Sequence, residues 1–174
     1  MGGVDAEVQA SVRVLGVDPG YGRVGWGVVT REASVLRAQS WGLIETDATT
    51  DWSERLCSVY DRFKQVLAVE EPDIVAAEAL WFGANRTTAM GVAKAAGVIA
   101  LAAAQHGLPV VEYKPSVVKL TVTGNGAARK PQVRAMVTRL LRSTELPKVD
   151  DVADALAVAI CHLQHSRLTQ MSSE

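Results

Sequence analysis

A chain of 174 residues with 48% hydrophobic and 21% charged residues is long enough to bury one substantial core and too short for two domains of ordinary size. This balance excludes a disordered chain, and the longest apolar segment, residues 89–104, contains Lys94 and suits a buried alanine-rich helix better than a membrane span. Residues 1–11 lack the basic start and apolar block of a signal peptide, and Cys57 and Cys161 lack metal-ligand spacing, so we expect two reduced core thiols in a cytoplasmic protein.

The first part of the chain predicts three closely linked strands and then a helix. Residues 12–18, 24–30 and 34–45 are rich in Val, Leu and Trp and are separated by "DPGYG" and "REA", as in an antiparallel meander. In residues 51–72, apolar side chains recur every three or four positions between Asp51, a predicted N-cap, and Pro72. This spacing indicates an amphipathic helix.

The rest of the chain alternates strands with helices. We expect strands at 73–82 and 108–113, an alanine-rich helix at 85–106 between them, and helices at 116–121, 131–142 and 150–165. Strands joined by helical crossovers pair in parallel. The sequence therefore predicts an α/β domain over residues 12–166: a five-stranded mixed sheet, with three antiparallel strands plus two parallel strands and helices on both faces. Residues 1–11 and 167–174 are expected to be flexible ends.

Although the net charge of the chain is −1, one segment is strongly basic. Residues 114–148 contain eight basic residues and one acid, a net charge of +7, which leaves −8 for the rest of the chain. Such asymmetry favours a polyanionic partner. The arginines Arg134, Arg139 and Arg142 also fit an ordinary solvated helix face, whereas "TGNGAARKP" places flexible backbone beside Arg129 and Lys130, where a phosphate backbone can lie.

Asp18 and Glu78 each follow an apolar run. Both are predicted at the carboxyl ends of neighbouring central strands, the place where open α/β sheets form their sites. The alternatives are that Asp18 caps the turn "DPG" and that Glu78 is a solvent-facing strand residue. The glycines after Asp18 do not lead into a helix, as a nucleotide phosphate loop requires. We interpret them as a tight turn and as room for a DNA strand close to the sheet.

The segment "VDDVADALAVAI" adds further acids. Asp151 and Asp154 lie one turn apart on one helix face. Asp150 and Asp151 also fit a first turn in which acids complement the helix dipole, whereas Asp154 precedes apolar residues and is expected to face inward. Four converging carboxylates require cations, and oxygen ligands favour Mg²⁺ or Mn²⁺. The histidines fall outside this set: His106, His162 and His165. Acids beside a basic segment indicate a metal-dependent nuclease.

Four motifs in order, "VLGVDPG…GWGV", "AAEALWF", "VTGNGAARKPQV" and "DVADALAVAI", closely resemble the RuvC family of bacterial Holliday-junction endonucleases, within the RNase H-like superfamily. The resemblance implies resolution of four-way DNA junctions by paired symmetric nicks, in recombination and repair, leaving 5′-phosphate and 3′-hydroxyl ends. It implies two Mg²⁺ ions per site, for which Mn²⁺ substitutes. The implied catalytic and metal-ligating residues are Asp18, Glu78, Asp151 and Asp154.

The same resemblance implies where DNA is held. Lys119 and Lys130 match lysines that contact the phosphate backbone, and Arg129 and Arg134 extend this predicted DNA-binding set. Trp81 matches an aromatic position that stacks on an unpaired base, where family members usually have phenylalanine. The alternative for Trp81 is that it caps the core.

A homodimer and the RuvA and RuvB branch-migration complex are the partners that the resemblance implies. A stripe of small residues on the alanine-rich helix fits either a dimer interface or packing on the sheet: Gly91, Ala95, Val98 and Ala102. An ATPase or sugar kinase of the actin and hexokinase type requires a second phosphate hairpin and a second domain, and the sequence provides neither. A non-catalytic junction-binding protein, or a relative that acts on RNA, remains an alternative.

Overall fold

The computed structural model describes residues 11–80, 86–143 and 149–171, with side chains described in 11–80, 89–143 and 149–166. The strands are β1 (Arg13–Asp18), β2 (Arg23–Glu32), β3 (Val35–Glu45), β4 (Ile74–Glu78) and β5 (Val110–Tyr113). The helices are α1 (Trp52–Glu70), α2 (Arg86–Gln105), α3 (Pro115–Thr123), α4 (Lys130–Leu141) and α5 (Asp150–Met171). Each predicted element is present. The fourth strand ends earlier than predicted, at Glu78, and α5 continues to Met171 through residues expected in the flexible tail.

The sheet has the predicted mixed topology. Its strand order is β3-β2-β1-β4-β5. The pairs β1–β2 and β2–β3 are antiparallel, and the pairs β1–β4 and β4–β5 are parallel. The central strand β1 is apolar on both faces, as expected for a strand covered on both sides. Since Val17 pairs with Ala77, the next residues, Asp18 and Glu78, end their strands side by side at one edge of the sheet.

Helices cover both faces of the sheet, as predicted. Consecutive strand residues point to opposite faces, so Val14 belongs to the core under α3, α4 and α5, whereas Leu15 belongs to the core under α1 and α2. Phe63 of α1 and Leu156 of α5 are among the largest fully buried side chains, one in each core. The edge that carries Asp18 and Glu78 therefore lies between two packed helical layers.

The glycines of β1 and β2 allow α5 to lie directly on the sheet. A Cβ atom on Gly16 would lie 2.0 Å from the carbonyl oxygen of Ala155, and one on Gly25 would lie 2.0 Å from that of Asp151. At Gly27 it would lie 2.5 Å from the Leu156 side chain. For Gly25 and Gly27, which follow Asp18, the expectation of room for DNA was wrong, because α5 fills that space.

The small residues on one face of α2 pack against other parts of the same chain. Ala95 and Ala102 are fully buried, and Val98 packs against the same core as α1 and the sheet. Gly91 faces the ring of Tyr21, from the turn after β1. Among the described helices, α2 included, none is both long and apolar enough to cross a membrane.

The two thiols differ in exposure. Cys161 is buried on α5, as predicted, whereas Cys57 is exposed on α1, so the prediction of a second core thiol was wrong. Cys57 occupies a solvent-facing position of the amphipathic helix, ahead of the inward-facing residues Val59 and Phe63. Both thiols are free.

Candidate active site

Four predicted acids lie on three neighbouring elements. Asp18 ends β1 and Glu78 ends the adjacent β4, and both side chains are half-buried. Asp151 and Asp154 lie in the first turns of α5, whose close contact with Gly25 brings this end of the helix over the same edge. The structure thus brings the acids of strands and helix together at the carboxyl ends of β1 and β4.

Burial and the charges of neighbouring acids raise the pKa values of Asp18 and Glu78. Burial, followed by the charges of Glu78, Asp154 and Asp151, raises the pKa of Asp18 from its ordinary value of 3.8 to about 8. Burial and then the charge of Asp154 also raise the pKa of Glu78, although Lys119 and Lys130 act in the opposite direction. The four acids therefore repel one another, and the site is short of positive charge.

Basic side chains partly compensate this negative charge. Lys130 Nζ lies 3.1 Å from Asp154 Oδ2, and Arg23 Nη2 lies 3.2 Å from Asp151 Oδ2. Burial lowers the pKa of Lys130, but the hydrogen bond to Asp154 and the negative charges of Asp154, Asp18 and Asp150 together outweigh this effect and leave that pKa above its ordinary value. Two of the four acids are thus held by cations from different elements.

Asp150, the extra acid at the start of α5, pairs with a different cation from those that hold Asp151 and Asp154. Its Oδ1 lies 3.4 Å from Arg134 Nη1 of α4, and both side chains are about half exposed. The predicted DNA-binding residue Arg134 therefore lies at the rim of the site and contacts Asp150 there.

A pocket of about 170 Å³ opens beside the acids. It is lined by three of them and by two lysines: Asp18, Glu78, Asp154, Lys119 and Lys130. Its remaining walls are mainly the apolar side chains of α3, α4 and α5. Asp151 is not part of this lining, and its Oδ2 is paired instead with Arg23.

The donor set suits a hard divalent cation. All four groups are carboxylates, which favour Mg²⁺ or Mn²⁺, and the high pKa of Asp18 indicates that a nearby cation would strongly stabilise its ionised form. In the part of the chain that the structure describes, no three carboxylate, imidazole or thiol groups are gathered into a preformed metal cage. In this structure Arg23 and Lys130 each pair with one of these carboxylates, Asp151 and Asp154 respectively.

The histidines lie apart from the acids, as predicted. His162 Nδ1 is 2.9 Å from the hydroxyl of Tyr113, and His165 packs against the same ring. His106 lies at the end of α2, where its Nδ1 is 2.9 Å from the Ala102 carbonyl oxygen. His162 and His165 thus pack against Tyr113, and His106 contacts the last turn of α2.

The loop before α4 is ordered by its own polar groups. Gly124 ends α3 with a φ of 76°, a conformation that favours glycine. The Asn125 side chain accepts a hydrogen bond from the Ala127 amide at 3.0 Å, and the Arg129 amide donates to Gln132 Oε1 at 2.8 Å. The backbone is thus more constrained than its glycines suggested, and it presents Arg129 and Lys130 at the start of α4.

Comparison with known proteins identifies the family of the chain. The family model described as Crossover junction endodeoxyribonuclease RuvC matches residues 14–162. Two relatives named Crossover junction endodeoxyribonuclease RuvC are each 46% identical to the chain. The match to that of Thermomicrobium roseum covers 92% of this chain and 98% of the relative. The match to that of Chloroflexus aggregans covers 87% of this chain and 92% of the relative. A structure of T. thermophilus RuvC in complex with a Holliday junction substrate superimposes with a TM-score of 0.85 at 33% identity, covering 91% of this chain and 96% of that one.

The chain belongs to the RuvC family. Its five-stranded mixed sheet is accordingly the RNase H-like fold of that family. The aromatic residue that the family resemblance placed near the site, Trp81, lies outside the described residues.

Arg23 is the site residue that sequence reasoning missed. It stands two positions before Gly25 on β2, so its side chain shares the face on which α5 rests. The alternation of residues within "RVGWG" places Arg23 on the same sheet face as Gly25. It identifies Arg23 as a site residue only when the position of α5 on that face is known.

Proposed function

We propose that the chain is a structure-specific endonuclease that resolves four-way DNA junctions by paired symmetric nicks. The observation that carries this proposal is a group of repelling carboxylates, with the pKa of Asp18 raised to about 8, next to the lysines of a strongly basic segment. A protein that only binds DNA gains nothing from acids that repel phosphate. Membership of a family named for crossover junction cleavage, and the junction substrate bound to the T. thermophilus relative, support the same substrate.

The proposed ligands of two Mg²⁺ ions are Asp18, Glu78, Asp151 and Asp154, and Mn²⁺ is expected to substitute. Bound divalent ions supply an activated water and stabilisation of the leaving 3′ oxygen, which yields 5′-phosphate and 3′-hydroxyl ends. The chain's own residues set the position: the β1 and β4 termini fix two carboxylates, and the packing of α5 on Gly25 fixes the others.

Lys119, Arg129, Lys130 and Arg134 form the proposed DNA surface. Lys119 and Lys130 line the pocket, and Lys130 is 61% exposed in its side chain, so a phosphate can reach it from solvent. Arg129 is exposed at the start of α4, one residue away. These cations position the strand without reading its sequence. We assign base stacking near the crossover to Trp81 on the family resemblance.

We further propose a homodimer acting in recombination and repair. A four-way junction is two-fold symmetric and needs two nicks, so one site on each of two symmetric subunits meets the requirement. The resemblance supports cooperation with the RuvA and RuvB complex, in the cytoplasm where bacterial DNA is repaired.

A synthetic four-way junction tests the function. The protein is incubated with the labelled junction in Mg²⁺ and, as a control, in EDTA; Asp18→Asn, Asp151→Asn and Asp154→Asn are tested in parallel. We expect cleavage only by the unmodified protein in Mg²⁺, with junction binding retained by the variants, because the cationic surface is intact. Binding without cleavage under both conditions would make the protein a non-catalytic binder, and preference for RNA or linear duplex would reject the junction as substrate.

A further inference from the structure

Arg23 contacts one of the acids from β2, whereas Lys119 and Lys130 of the basic segment line the pocket beside the acids from α3 and α4. It is the first residue of β2, and it shares a sheet face with Gly25, on which the first turn of α5 rests. Its guanidinium reaches Asp151 Oδ2 at 3.2 Å. Neither Arg23 nor Asp151 lines the pocket that contains Lys119 and Lys130. The acids are therefore approached by cations from two parts of the chain, of which the basic segment is only one.

The guanidinium of Arg23 is accessible, and its ion pair is weak. The Arg23 side chain is 55% exposed, whereas that of Asp151 is 22% exposed. Ion pairs with such an exposed member contribute little to stability, so this one exchanges readily for another partner. A guanidinium binds phosphate oxygens through two parallel hydrogen bonds, which an ammonium group cannot do.

Two demands compete for the Asp151 carboxylate. As a metal ligand it has to present its oxygens to a divalent ion, yet Arg23 holds one of those oxygens in this structure. A divalent ion bound to this carboxylate would displace the guanidinium, whose exposed side chain would then be available to a phosphate group at this edge of the sheet.

We propose that Arg23 is a phosphate-binding residue for the cleaved strand, held by Asp151 until a divalent ion takes that carboxylate. This inference rests on the proposed function, since it deepens the description of the same site. Arg23 competes with the metal ion before DNA binds and supports the strand afterwards. Junction binding and metal binding are thereby coupled through one side chain.

The test compares Arg23→Gln with a matched control. Arg37 lies on the same hairpin at the far edge of the sheet, is 58% exposed, and pairs with Glu32 at 3.0 Å, so Arg37→Gln removes a similar ion pair away from the site. Junction affinity is measured with Ca²⁺ over a series of KCl concentrations, and Mn²⁺ affinity is measured without DNA by electron paramagnetic resonance of the free ion.

For Arg23→Gln we expect junction affinity to fall about tenfold and the slope of log affinity against log salt to become shallower by about 0.9. Without DNA, Mn²⁺ is expected to bind about two- to fivefold more tightly, because an exposed competing cation is gone. Arg23→Lys should restore the slope but not the full affinity, and Arg37→Gln should change neither quantity.

An unchanged salt slope or an unchanged Mn²⁺ affinity in Arg23→Gln would overturn the inference. Equal effects of Arg37→Gln would also overturn it, since a general charge effect would then explain both variants. The unmodified protein separates this outcome from failure of the proposed function: if it does not bind the junction at all, the function is wrong, whereas normal binding with an unaltered variant rejects Arg23 alone.

Discussion

Replacement of Asp18 by asparagine should stabilise the metal-free protein while it abolishes cleavage. Burial and three neighbouring acids raise the pKa of Asp18 to about 8, compared with 3.8 when unperturbed. Since one pKa unit corresponds to about 1.36 kcal/mol, ionisation of Asp18 above pH 8 opposes folding by at most about 6 kcal/mol. An asparagine amide that lacks hydrogen-bond partners costs about 1–3 kcal/mol. The expected net gain above pH 8 is therefore at most about 3–5 kcal/mol.

The contribution of the Asp18 carboxyl group to the free energy of unfolding depends on pH. Below pH 3.8 the carboxyl group is protonated in both the folded and unfolded states, so it contributes no difference. Between about pH 4 and pH 8 the folded protein keeps a proton that the unfolded chain has lost, and the free energy of unfolding falls as pH rises. The advantage of Asp18→Asn over the unmodified protein should thus grow by about 2–4 kcal/mol from pH 5 to pH 9.

Urea denaturation in EDTA at pH 5, 7 and 9 measures this difference. Asp47→Asn is the control, because hydrogen bonds from the Thr49 amide and hydroxyl lower the pKa of the exposed Asp47. Its carboxylate stabilises the fold at neutral pH and loses that contribution in acid, so the control should be destabilising at neutral pH. A stability difference between Asp18→Asn and the unmodified protein that does not vary from pH 5 to pH 9 would refute the electrostatic account of the site.

Three further outcomes follow from the same geometry. Glu78→Gln should abolish junction cleavage in Mg²⁺ but leave binding in a gel-shift assay nearly unchanged, and normal turnover would remove Glu78 from the site. Lys119→Ala should make the salt dependence of junction binding shallower by about one phosphate contact, which a titration in KCl measures; an unaltered slope would count against that contact. Gly25→Ala should destabilise the fold by about 1–3 kcal/mol and reduce cleavage, since its Cβ would meet the Asp151 carbonyl oxygen at 2.0 Å. Gly97→Ala, where no atom lies within 4 Å, is its control, and equal effects would contradict the packing argument.

Much of the site could be predicted from local patterns. An apolar run that ends in an acid identifies a strand end, and this placed Asp18 and Glu78 correctly at one edge. Asp154 could be expected to face inward because the residues after it are apolar. In each case the information lies within a few residues of the acid, where strand and helix periodicity operate.

The remaining features depend on contacts between distant parts of the chain. Arg23 pairs with Asp151, which lies 128 positions later in the sequence. Position 25 requires glycine only because α5 packs directly against it. The contacts of Arg23 and Gly25 are set by how the helix docks on the sheet, which periodicity alone does not determine. The exposure of Cys57 was missed for another reason: cysteine is usually buried, although the helical spacing of Val59 and Phe63 leaves position 57 on the outer face.

The position of the nicks on a synthetic four-way junction tests the central claim most directly. The junction carries a label on each strand in turn, and products formed in Mg²⁺ are compared with size markers and tested for a 5′-phosphate. We expect symmetric nicks in two opposing strands, 5′-phosphate and 3′-hydroxyl ends, and no product in EDTA. Nicks at unrelated positions, equal cleavage of linear duplex, or products that persist in EDTA would contradict this claim.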